Sequence, residues 1–160
     1  CGATAAALSE GKGDITVEIE PGATTLETGN KGHVVASLGT DSGYVPYTAF
    51  CAKNSYLKEN DETIQGFTNA LQKGMEYVKN HTPEEIAKVI TPQFKETDMK
   101  TLTAIVTRYY DQDTWNENLI FTKDSFDLLQ DILEGAKELK HRVPYQDLVT
   151  TKYAEKAQKK

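Results

Sequence analysis

Glu18 and Glu20 stand on either side of Ile19 at the end of the alternating run Asp14-Ile15-Thr16-Val17-Glu18-Ile19. Residues two apart share one face of an extended segment, so the two are spaced as a carboxylate pair for acid and base work. The same spacing describes a solvated strand face. Glu20 differs from Glu18 in adjoining Pro21 at the strand end, where an α/β sheet places its ligands, and is read as a ligand contact. Tyr44 and Tyr47 flank Val45-Pro46 at the start of a third apolar segment. That position suits ligand contact better than the positions of Tyr109 and Tyr110, which fall in a helical pattern.

The other reactive side chains form no apparatus. His33, His81 and His141 are scattered, and no pair has the His-x3-His spacing of a helical metal site. Ser37 and Ser42 lack a nucleophile-elbow context and a nearby base, and the glycine loop Gly39 to Gly43 lacks the lysine of a phosphate loop. Cys51, between Phe50 and Ala52, reads as a buried, inert thiol. Trp115 reads as packing two helices together or covering a cleft. The arrangement is that of a recognition protein with no catalytic group, no metal and no cofactor.

Composition sets the frame around these residues. The 160-residue chain is 38% hydrophobic and 26% charged, as expected of a globular domain with a modest core. Its 24 acidic residues against 18 basic give a net charge of -6, which disfavours nucleic acid and anionic membranes as partners. No apolar run approaches a membrane span, and no charged start with an apolar middle marks a signal peptide. Cys1-Gly2 is how a lipid-anchored mature lipoprotein begins; a fragment boundary is the alternative.

The elements that must position the candidates are predicted as an α/β region followed by a helical half. A helix over Ala3 to Glu10 closes at Gly11 or Gly13. Three strands follow, at Asp14 to Ile19, His33 to Leu38 and Pro46 to Ala52. A short helix lies between the first two, opened by Pro21 and ended by Gly29. After Lys53 the period becomes helical: Ile64, Phe67, Leu71, Met75 and Val78 line one face of a long helix. Thr82-Pro83-Glu84-Glu85 carries a capping box, Asp98 caps another helix, Thr122 or Asp124 starts a further one, and a last short helix begins near Pro144.

Several of these segments together resemble a known family. Asp14 to Pro21, Gly32-His33-Val34-Val35-Ala36-Ser37-Leu38-Gly39 and Val45-Pro46-Tyr47-Thr48-Ala49-Phe50 resemble successive segments of the solute-binding proteins of bacterial ABC importers. The nearest group is the one for nitrate, aliphatic sulfonates, taurine and thiamine-pyrimidine precursors. The resemblance continues through Asn69 to Gly74, the Thr82 helix start, Trp115 and Val143 to Val149. It implies a partial periplasmic-binding-protein type II fold, α/β, representing the C-terminal portion. Residues 1–38 would correspond to the later part of the second lobe, 39–45 to a hinge crossing and 46–160 to the return into the first lobe. Ligand contacts would come from Glu20, Pro21, Gly22 and Ala23 on one side and from Ser42, Gly43, Tyr44 and Tyr47 around the hinge.

The function so implied is non-enzymatic capture of a small polar or anionic organic solute outside the cytoplasm and its delivery to an ABC permease. An interaction or structural module that keeps the fold is the alternative, and a thiamine-precursor biosynthesis enzyme of the same fold class the third. Two lobes of about 100 to 150 residues each exceed this chain. Sheet edges left bare by that shortfall would pair with a second copy or exchange segments with it.

Overall fold

The computed structural model describes residues 2–115 and 118–159, so Cys1 and the anchor expectation attached to it lie outside the described residues. Regular structure among these residues is helical throughout: α1 (Gly2–Ser9), α2 (Gly22–Thr28), α3 (Leu38–Asp41), α4 (Asn54–Glu59), α5 (Asp61–Asn80), α6 (Pro83–Ile90), α7 (Met99–Asp111), α8 (Lys123–Gly135), α9 (Tyr145–Leu148) and α10 (Lys152–Gln158). A turn of 3-10 helix, Thr91–Gln93, follows α6. The chain divides into two compact units, Cys1–Asp41 with His81–Trp115 and Ser42–Asn80 with Asn116–Lys160.

In the first unit the core is the α6–α7 pair, where Ile86, Ala87, Leu102 and Val106 are buried. Both helices begin as their sequences dictate. Thr82 Oγ1 accepts from Glu85 N at 3.3 Å while Thr82 N donates to Glu85 Oε2 at 2.9 Å, the reciprocal capping box. Asp98 Oδ1 accepts from Thr101 N at 3.0 Å at the head of α7. α2 packs against α7, and α1 against α2. Gly11, with φ of +71°, closes α1 while Lys12 N reaches back to Ala7 O at 2.9 Å. α2 ends at Gly29, as expected, and the left-handed residue that follows is Asn30, with φ of 52°.

In the second unit α10 packs on α5 through the buried Tyr153, Ala154 and Ala157. Asp61 at the head of α5 accepts from Lys152 Nζ at 2.7 Å and from Tyr153 Oη at 2.9 Å, and these bonds, Lys152 first, hold its carboxyl below the ordinary value. Around α8, the Phe126 ring meets Phe121 and Tyr145 edge-on, with centroids 5.9 and 5.6 Å apart. The buried Gln130 ties α8 to the chain at Val143, whose N donates to its Oε1 at 2.7 Å.

The three strands predicted from alternation are absent among the described residues, and with them the α/β class and the partial two-lobe sheet. Residues 14–19, 33–37 and 45–53 carry no strand pairing, and Leu38 instead opens α3. The reason is physical: alternation favours an extended backbone, but a strand exists only where a neighbour completes its hydrogen bonds. The apolar side chains show the same lack of neighbours. Ile15 is 83% exposed, Val35 85% and Phe50 77%. Cys51, expected to be buried, is exposed on the third of these segments for that reason.

Candidate functional site

The two groups of predicted contacts fall in different units. In the first unit Glu20 joins Pro21 through a cis peptide bond, and α2 begins one residue later. The Glu20 side chain is 6% exposed. Its Oε2 accepts from Thr24 N at 3.1 Å, and its Oε1 accepts from Thr24 Oγ1 at 3.0 Å and from Arg108 Nη1 at 2.8 Å. The same guanidinium pairs with Glu27 through Nη2. Glu27 Oε1 accepts from Val34 N at 2.9 Å. That backbone bond first, then Arg108, holds the Glu27 carboxyl below its ordinary value.

Two donors at the start of α2 are engaged within the chain. Thr24 N points at Glu20, and Ala23 N at Ile19 O, 3.3 Å away. Pro21 is exposed, and Gly22 and Ala23 are half-buried. Gly22 is a close approach: a Cβ there would stand 2.9 Å from Glu18 Oε2. Glu18 is itself held by Thr4 Oγ1 of α1. Glu18 and Glu20 thus share the inward face of their segment, as their spacing predicts, but each is tied to a different helix.

The second unit holds an open pocket of about 490 Å³, lined by Tyr44, Asn118, Ile120, Thr122, Asp124, Ser125 and Leu128. That volume is of the order occupied by small organic ligands. Gly43, with φ of +76°, turns the chain into it, and a Cβ at this position would lie 3.7 Å from Leu128 Cδ2. The opposite wall is the head of α8, where Thr122 Oγ1 accepts from Ser125 N at 3.3 Å. Asn118 Oδ1 accepts from Ile120 N at 2.9 Å and so fixes the approach to α8. The lining mixes an aromatic ring, two aliphatic side chains, an amide, two hydroxyls and a carboxylate.

Of the predicted contacts around the glycine loop, Tyr44 lines this pocket and Gly43 adjoins it, whereas Ser42 is exposed and Tyr47 stands out in solvent at 83% exposure. Sequence reading missed Asn118, Ile120, Ser125 and Leu128, and took Thr122 and Asp124 only as a helix start. The Thr122 cap was the available signal, since it fixes where α8 begins. Ser37, also singled out, serves structure: its Oγ donates to Gln112 Oε1 at 3.0 Å. Trp115 meets the Tyr109 ring edge-on at 6.0 Å. Among the described residues no group of three His, Cys, Asp or Glu side chains converges as a metal site would.

Comparison with known proteins agrees with the resemblance in the sequence. Residues 2–86 match the family described as "NMT1/THI5 like". Over 150 residues the chain is 38% identical to "Putative binding protein YtlA" of Bacillus subtilis (strain 168), a match that covers 94% of this chain and 45% of that protein. The chain thus spans about half the length of this curated relative. No solved structure matches. With more than half of its length inside the family match, the chain belongs to the NMT1/THI5-like family.

Proposed function

We propose that the chain is part of a solute-binding protein that captures a small polar or anionic organic molecule outside the cytoplasm and hands it to an ABC permease. The observation that carries this reading is the match of 94% of the chain to a protein described as a binding protein, within a family that covers residues 2–86. The Tyr44 pocket supports it: a ring at one wall and polar side chains at the head of α8 at the other are what orients a small polar molecule. Gly43 and Tyr44 are the contact residues in this reading, and the approach to α8 together with its first turns supplies the rest. Among the described residues no helix is long and apolar enough to cross a membrane.

A panel of nitrate, taurine, other aliphatic sulfonates and aminopyrimidines, screened against the purified protein by thermal shift and then by calorimetry, tests the reading. One solute is expected to bind and to be recovered chemically unchanged. Turnover of a bound compound would favour the biosynthetic-enzyme reading instead. Binding of none would leave the interaction-module reading.

A further inference from the structure

The lining of the Tyr44 pocket has a sign. Among the described residues that form it the one carboxylate is Asp124, and there is no lysine, arginine or histidine. Lys123 precedes Asp124 in the chain but pairs with Asp127 one turn further along α8, and it is not part of the lining. The register of α8 brings the carboxylate to the pocket. Asp124 and Leu128 are four residues apart and so share a helix face. That face meets the glycine loop, since a Cβ at Gly43 would stand 3.7 Å from Leu128 Cδ2.

The helix itself works in the opposite sense. The N-terminus of α8 carries the equivalent of about half a positive charge, which favours an anion. One of its amides, that of Ser125, is already taken by Thr122 Oγ1, and the full negative charge of a carboxylate in the first turn outweighs the half. The net charge of the chain, -6, acts in the same direction at longer range. Tyr44 adds an aromatic ring, whose face attracts cations.

We infer that this pocket selects a positively charged organic solute, an amine or a quaternary ammonium compound, and that Asp124 sets the selection. The inference rests on the reading of the pocket as the solute site and narrows that solute to a polar molecule carrying a cationic nitrogen. The nitrogen is held by the Asp124 carboxylate and the Tyr44 ring, and Ile120 and Leu128 meet the carbon skeleton. An anion of the same size brings its charge against Asp124 instead, and like charges so placed suppress the wrong ligand.

Calorimetry and saturation-transfer NMR of the 160-residue chain, with two size-matched pairs of opposite charge, test the proposal: choline with isethionate, and benzylamine with benzoate. The cation of each pair is expected to bind about fivefold more tightly than its anion, or better, with a preference that shrinks as salt is raised. Asp124→Asn should weaken the cations about two- to fivefold, the range of an exposed ion pair. Asp124→Lys should turn the preference toward the anions, an exchange that a residue serving only the helix start would not produce. Tighter binding of the anions, a preference untouched by Asp124→Lys, or binding of neither cation would overturn the selection. Anions that bind and are recovered unchanged would overturn it while leaving solute capture in place. Cations that bind and are consumed would sustain the selection and overturn capture without turnover.

Discussion

Arg108 grips two carboxylates at once, Glu20 and Glu27, and each of these in turn holds backbone: Glu20 the start of α2 at Thr24, Glu27 the extended segment at Val34. Glu20→Ala should therefore destabilise the first unit by about 1.5 to 3 kcal/mol, the range for hydrogen bonds to a charged group, as read by a urea melt. A near-neutral melt with lost solute affinity would show instead that the carboxylate works on the ligand. Glu27 sets a pH dependence. Its folded value lies below the ordinary 4.5, so the unfolded chain takes up the proton first. Its contribution is complete above pH 4.5 and is lost as the pH falls through the lowered folded value. Glu27→Gln should flatten the acid limb of stability against pH; an unchanged limb would mean that Glu27 is not held in solution as it is here. Glu20 was legible as a special residue because of its place beside Pro21. Its partner Arg108 was not, since nothing local to either residue shows that the chain brings α7 back to α2.

Helices reveal themselves locally, and that is why most of them could be read. Thr82 and Glu85, three residues apart, contain the whole capping box, and the Asp98 and Thr122 caps are equally short-range. Thr82→Ala should cost about 1 kcal/mol and leave solute affinity unchanged; a loss of affinity with stability intact would make the α6 start part of a binding site. Leu102→Ala, in the buried contact between α6 and α7, should cost about 2 to 5 kcal/mol, measured the same way. A cost below that range would show that the α6–α7 pair is not the core of its unit. The strands failed as predictions for the complementary reason. Ile15, Val17 and Ile19 alternate as a strand does, but pairing depends on a neighbour that the alternation cannot supply. α2 ends at Gly29, where the sequence marks its end, and the left-handed position falls at Asn30, a conformation asparagine tolerates.

At the scale of the molecule the chain is two helical units, each with its own buried contacts and each carrying apolar extended segments in solvent. Its family places it among relatives of the binding-protein kind, and the legible part of the candidate site is the turn at Gly43 and Tyr44. The wall opposite, from Asn118 to Leu128, was hidden because its residues are ordinary helix-start and core types that become a site only when folded against Tyr44. The measurement that bears most directly on solute capture is a calorimetric titration of wild-type protein and Tyr44→Ala with the solute found in the panel. An aromatic contact of this kind is worth about 0.5 to 1.5 kcal/mol, so affinity should fall roughly two- to twelvefold. Equal affinity in the two proteins would contradict the assignment of this pocket, and an absence of heat in both would contradict solute binding itself.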